Sequence, residues 1–286
     1  MDNCTFKMND CFDSDLAMER KRASTFVDGV EYKRDVCLGG VWERLKITSA
    51  AGEKNIGRPI GLYDTLTLPR MDTIMPDDIE DAKDEIAREL CRMCDMCDVS
   101  PERILVVGLG NRDLTPDAIG PYTADEIEAT MHIKNDDEEL FETLGCSEIC
   151  VICPDVTSNS GMSSVEIVKS VAEAVNPTVV FAIDSLASRS DERIGNTIQI
   201  SSTGIIPGTG VGHRGQTINE ELLGVPVIAI GIPTVISVNG AGVSFGESIR
   251  RKGDYFISPK GVSRIVKNGA KIIGGGINQA FGICYF

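Results

Sequence analysis

Asp117 and Asp184 are the side chains best placed to carry chemistry in this chain. Ile104-Leu105-Val106-Val107-Gly108-Leu109-Gly110-Asn111 leads into Thr115-Pro116-Asp117-Ala118-Ile119-Gly120-Pro121. Val179-Val180-Phe181-Ala182-Ile183 leads into Asp184-Ser185-Leu186-Ala187-Ser188-Arg189. A β-rich apolar run that stops at a turn and a carboxylate has the pattern of a buried parallel strand. Such a strand delivers a side chain to the carboxyl edge of a sheet, where open α/β folds bind ligands. The two aspartates stand 67 residues apart, about two βα units, so parallel strands can bring them to one edge. Two carboxyls with split pKa values can activate water with one and protonate a leaving group with the other. The same residues could instead cap a helix (Asp117) and close a strand-end turn (Asp184), and composition leaves both readings open.

Other chemistries find less support. Gly108-Leu109-Gly110 follows a strand, but a dinucleotide loop needs a third glycine opening a helix, and Asp113 stands three residues after Gly110. The chain has two histidines, His132 beside an acidic run and His213 in a glycine-rich loop. Neither belongs to a Gly-x-Ser-x-Gly elbow or a His-Glu-x-x-His motif. Cys91, Cys94 and Cys97 form C-x2-C-x2-C, and Cys146, Cys150 and Cys153 form a second cluster. A zinc or cluster site needs a fourth ligand at a matching spacing, which the sequence lacks. The first three read instead as thiols near one face of a helix.

The elements that must hold the aspartates are legible from about Arg103 onward, where the pattern becomes strand, glycine-rich turn, helix. Tyr122 to Met131 reads as a helix, Cys146 to Cys153 as a strand, and Ser163 to Val175 as a helix stopped by Asn176-Pro177. Asn196 to Ile200 and Val225 to Ile230 read as strands, and Ser263 to Phe281 as a helix. Upstream, Val27 to Ser49 and Gly61 to Leu68 suggest strands, and a helix carrying the cysteines follows Pro76-Asp77-Asp78. Asp13-Ser14-Asp15 is able to cap a short helix. The expected fold is α/β, a mostly parallel or mixed sheet with helices on both faces, preceded by a β-containing N-terminal extension.

Composition narrows the function classes. The 286 residues can bury a sizeable core, and no apolar run reaches the roughly 18 residues that span a bilayer. No signal peptide is expected from Met1-Asp2-Asn3-Cys4, so cytoplasmic placement is the default. A net charge of −15 argues against direct nucleic-acid binding and is compatible with a basic protein partner.

Leu105 to Asn111 with Thr115 to Pro121 closely resembles the germination (spore) proteases of endospore-forming bacteria. So do Asn176-Pro177 with Ala182 to Arg189, and Thr197 to Ser201 with Gly204 to Gly212. Leu223 to Val235, Ser258-Pro259-Lys260 and Gly275 to Ala280 continue the resemblance, which is dense from Ile104 to Ala280. It implies an endopeptidase that degrades small acid-soluble spore proteins at germination, acting in the spore core. It also implies a sheet core similar to that of hydrogenase maturation proteases, catalytic roles for Asp117 and Asp184, and no cofactor or metal. The family is made as a zymogen and assembles as a tetramer, so a homotetramer is expected. Ser14-Asp15-Leu16-Ala17 resembles its processing site. That resemblance places cleavage between Asp15 and Leu16, making residues 1–15 a propeptide and 16–286 one protease domain, with 16–100 as extension and 101–286 as core.

Two departures stand out. Between Thr234 and Ser258 the chain has a short Gly/Ser-rich connection where longer family members carry a large insertion, and the first hundred residues match loosely apart from the Asp15 region. Asp155 and Glu166 are expected to be pocket or structural groups. Backbone N–H groups around Gly108, Gly110 and Asn111, or around Gly208 and Gly210, are candidates to stabilise an oxyanion. Beside what the resemblance implies stand two other functions: a metal-assisted maturation-type protease with Asp117 and Asp184 as ligands, and a non-enzymatic acidic binder of basic spore proteins.

Overall fold

The computed structural model describes residues 15–20, 28–208, 215–237 and 256–283. Its strands are β1 (Val30–Cys37), β2 (Gly40–Ile47), β3 (Gly61–Thr67), β4 (Arg103–Gly108), β5 (Glu148–Ile152), β6 (Val179–Ser188), β7 (Thr197–Ser201), β8 (Val227–Ser237) and β9 (Phe256–Ile257). They form one sheet in the order β1-β2-β3-β7-β8-β6-β4-β5, with β9 paired to β8. The half made of β8, β6, β4 and β5 is parallel, and β8 back through β7, β3, β2 and β1 is antiparallel. The protein is therefore a mixed α/β fold. The N-terminal strands do not stand apart from the rest: β3 pairs with β7 and continues the same sheet.

Strand composition explains which half is buried. β6 reads Val-Val-Phe-Ala-Ile before its aspartate and is buried along its whole length, as a parallel strand covered on both faces must be. β1 is one of the two edge strands, mostly exposed and rich in charge, which discourages pairing with another chain. On one face, the helices Pro76–Met96 and Val262–Phe281 cover Val106, Phe181, Ile183, Ile228 and Ile230. On the other, the helix Ser164–Val175 packs Val165, Val168 and Ala172 over Leu105, Val107, Val180 and Ala182. Leu16 is buried on that second face as well.

Several boundaries differ from the sequence reading. Tyr122 to Met131 is not one helix. A helix runs over Ile119–Asp125 and another over Met131–Asp136. Between them, the buried Thr130 ties the chain to the start of β5: its N–H donates to the Ile149 carbonyl, and its hydroxyl accepts the Ile149 N–H. The three helical thiols do not share a face: Cys94 is buried, Cys97 half-buried and Cys91 exposed. Each three-residue step along an α-helix falls about 60° short of a full turn, so the outer two thiols rotate away from the core. Burial pushes the Cys94 thiol up to about 12. β8 extends to Ser237, beyond the expected Ile230. Asp13, Ser14, Gly210, His213 and most of the connection after Thr234 lie outside the described residues.

Candidate active site

β4 has β5 on one side and β6 on the other, so the strand order reverses between β4 and β6. In open α/β sheets the crevice at such a switch point, beyond the carboxyl ends of the strands, is where ligands sit. Asp117 and Asp184 both lie there. β4 ends at Gly108, paired with Ile183. β6 does not stop with it. Asp184 is the first β6 residue past the end of β4, and the strand runs on to Ser188 because β8 continues beside it. Asp184 is thus a mid-strand residue whose β4 neighbour has been replaced by a loop, and not the strand-end turn that its sequence also allowed.

That loop carries Asp117. Leu109 still donates its N–H to the Ile183 carbonyl, and the chain then turns at Gly110 and returns through a single 3-10 turn over Thr115–Asp117. Gly110 has φ of 110°, and a Cβ there would meet the Asp117 carbonyl oxygen at 2.0 Å. Only glycine suits that position. Gly120, at the head of the following helix, lies so close to the strands that a Cβ would meet Leu109 N at 2.4 Å and the Ile183 carbonyl oxygen at 2.6 Å. The Gly-x-Gly that suggested a nucleotide loop therefore serves a close turn that brings a carboxylate back over the strand end.

Both carboxyls are buried, Asp117 at 3% exposure and Asp184 at 0%. The Asn111 N–H donates to Asp117 Oδ2 at 3.0 Å. The Ser185 N–H donates to Asp184 Oδ1 at 2.7 Å, and the Gly208 N–H donates to Oδ2 at 3.2 Å. Burial holds the Asp184 carboxyl well above the usual carboxylate range, and the neighbouring charge of Asp117 pushes it further; the two backbone N–H groups oppose but do not reverse this. Asp117 borders a groove of about 390 Å3, lined by Gly110, Asn111, Leu114, Val156, Ser163 and Gly208 among others.

Of the expected oxyanion donors, Asn111 and Gly208 spend their N–H groups on the aspartates, and Gly108 lies within β4. Asp155 lines the groove and fixes its rim: at φ of 62° its carboxylate accepts the Val156 N–H and the Asn159 side-chain amide. Glu166 is exposed in the first turn of the helix Ser164–Val175. Among the described residues, no group of three or more His, Cys, Asp or Glu side chains is arranged to hold a metal ion, and no helix is long and apolar enough to cross a membrane.

Residues 15–17 lie against this site, a placement that the sequence alone did not reveal. Asp15 donates its N–H to the Ala187 carbonyl at 3.0 Å, and its Oδ2 accepts the Ala187 N–H at 2.8 Å. An Arg58 guanidinium nitrogen stands 3.9 Å from Asp15 Oδ1. Asp15 lines a second cavity, of about 130 Å3, with Arg58, Leu186, Gln199, Gly204 and Gly231. Its charge adds, as a smaller contribution, to the upward shift of the Asp184 carboxyl. Gln199 stands in the Thr197–Ser201 string and Arg58 in a loop before β3, and only the strand order places them here.

Known proteases are similar to this chain along most of its length. The family model described as germination protease matches residues 10–244. A germination protease of Clostridium perfringens is 34% identical over 314 residues, covering 93% of this chain and 94% of that protein. One from Clostridium tetani is 39% identical over 234 residues, 78% of this chain and 70% of that one. Among solved structures, a NiFe hydrogenase maturation protease from Thermococcus kodakarensis matches at a TM-score of 0.36 and 18% identity, over 64% of this chain and 99% of its own. The chain is a peptidase. It belongs to the germination protease family.

Proposed function

We propose that this chain is a spore endopeptidase in which Asp117 and Asp184 share one proton at neutral pH and divide acid and base work between them. The observation that carries the reading is the fully buried Asp184 carboxyl, raised by burial and by the charge of an Asp117 that borders a groove. Asp117, ionised, takes a proton from a water in the groove as the water oxygen bonds to the scissile carbonyl carbon. Asp184 gives its proton to the amide nitrogen as the C–N bond breaks. One water is consumed, one carboxylic acid and one amine form, and the pair again holds a single proton. Such a pair titrates as a unit, so activity follows a bell in pH whose limbs belong to both residues.

The substrates in this reading are small acid-soluble spore proteins, cut after an acidic residue and before an apolar one. Family membership and the chain's net charge of −15, suited to a basic partner, support this choice. The chain is also its own substrate at Asp15–Leu16, whose acidic side chain is held by the Ala187 N–H with Arg58 nearby. It acts as a homotetramer in the spore core. Incubating the purified chain, sequencing its new N-terminus and adding a small acid-soluble spore protein tests the reading. Asp117→Asn and Asp184→Asn should each slow both cleavages by about 10²–10⁴-fold. A folded variant of either kind with near-normal rates would overturn the shared-proton pair.

A further inference from the structure

We infer that Gln199 is the backbone clamp of this peptidase: its carboxamide grips the peptide on both sides of the bond to be cut and supplies the donor for the developing oxyanion. The inference rests on the proposed function, in which the Asp15–Leu16 bond is a substrate. Gln199 Nε2 donates to the Asp15 carbonyl oxygen at 3.0 Å, and Gln199 Oε1 accepts the Ala17 N–H at 2.9 Å. One planar amide thus bridges the carbonyl before the bond and the N–H one residue beyond it. Both contacts are to main chain, so they would serve any sequence lying in this position, while side-chain selection is left to the surrounding cavity.

Register puts the clamp opposite the chemistry. Gln199 on β7 pairs with Gly231 on β8, and Gly231 pairs with Asp184 on β6. Directly paired residues project from the same face of a sheet, so Asp184 and Gln199 flank a position that has no side chain. A Cβ at Gly231 would meet Leu186 Cγ at 2.6 Å and the Asp184 carbonyl oxygen at 2.8 Å. Leu186 fills the space directly over Gly231, and Leu186, Gly231 and Gln199 together line the cavity that Asp15 borders. The Asp15 carbonyl is held there by the amide. When water adds to that carbonyl carbon, charge moves onto the oxygen that Nε2–H already meets, where a preorganised donor does most good. Of the neighbouring backbone candidates, Asn111 and Gly208 have their N–H groups on the aspartates.

The test uses the processed enzyme on a synthetic peptide containing an acidic–apolar bond, supplied in trans. Gln199→Glu keeps the acceptor and removes the amide donor, while Gln199→Met keeps only the volume. In folded Gln199→Glu, kcat should fall by about 10²-fold with little change in KM; Gln199→Met should also raise KM. With the wild-type enzyme, a peptide in which an ester replaces the amide following the apolar residue loses the N–H that Oε1 accepts. Its KM should rise by about tenfold. Variants with wild-type kcat in trans, even if they process their own N-terminus slowly, would reduce Gln199 to a strut for residues 15–17 and overturn the inference, as would an ester peptide cleaved as readily as the amide. Asp184→Asn run alongside separates the two levels. A dead Asp184→Asn with normal Gln199 variants defeats the clamp alone, whereas an active Asp184→Asn defeats the carboxyl-pair reading.

Discussion

Asp64 on β3 and Glu89 on the helix Pro76–Met96 are, like Asp117 and Asp184, two buried carboxyls at close quarters. In both pairs burial acts first and the neighbouring acid second: Asp64 is pushed up to about 8 by burial and by its hydrogen bond with Glu89. The surroundings differ. Glu89 accepts from Arg44 at 2.6 Å and from Arg92 at 2.7 Å, and Arg92 also bridges to Asp64. These guanidiniums outweigh burial at Glu89 and hold it below its ordinary value. They take up the hydrogen-bonding positions and neutralise the site, which joins β2 and β3 to the helix behind them. The Asp117–Asp184 pair is met by backbone N–H groups and opens on a groove. A raised carboxyl pKa therefore marks burial beside another acid. What sets Asp117 and Asp184 apart is a bordering groove and backbone N–H groups on both carboxyls, the surroundings that the proposed acid–base work requires.

The contrast can be broken at either pair. The largest separation should be in turnover: Asp117→Asn or Asp184→Asn removes it by about 10²–10⁴-fold, while Asp64→Asn keeps kcat within about twofold, measured on one peptide under saturating conditions. Gly110→Ala should cost about 10²-fold in kcat by displacing Asp117, without altering the Asp64 region; a crystal structure of the variant would show the loop shift. Arg44→Ala should lower unfolding free energy by about 2 kcal/mol in urea, because Glu89 loses one of its two cations, with kcat per folded molecule unchanged.

Smaller effects lie in pH dependence. Asp184 is folded with its pKa raised, so between the unfolded value of about 3.9 and the folded one the native state binds more protons. Stability must then fall as pH rises through that window. Asp184→Asn should melt higher than wild type at pH 7, and the gap should close near pH 4. Asp64→Asn follows the same sign. With Asp64 at about 8, the variant should gain on wild type as pH rises from about 4, and the gain should level off above about pH 8. A melting difference that widened toward acid pH at either site would reverse the assigned direction.

What the sequence made legible was local. Apolar runs located β4 and β6, and the strings around Asp117 and Asp184 singled out the pair. The helix after Pro76-Asp77-Asp78 and the one expected over Ser263 to Phe281 are found at Pro76–Met96 and Val262–Phe281. The site's other half was hidden because it is assembled by strand order. Gln199 sits in Thr197-Ile198-Gln199-Ile200-Ser201, a run whose alternation reads as an ordinary half-buried strand. Nothing local says that β8 lies between it and Asp184, or that the intervening residue is Gly231. Arg58 likewise reaches Asp15 from a loop before β3. The break at Thr130 escaped for the same reason, since its partners Ser147 and Ile149 are distant in sequence.

Leu16, Ala17 and Met18 are all within 5% of complete burial, and this bears on the step after bond scission. Hydrolysis at Asp15–Leu16 would create an α-ammonium on a residue whose side chain is packed into the apolar face with Leu105, Val180 and Leu186. A positive charge does not rest in such surroundings without a partner. The new terminus must either swing out to water or lose its proton, and swinging out would pull Leu16 from its socket. On the first of these courses, product release and the emptying of the Leu16 socket would be one event, driven by the hydration of a single nitrogen.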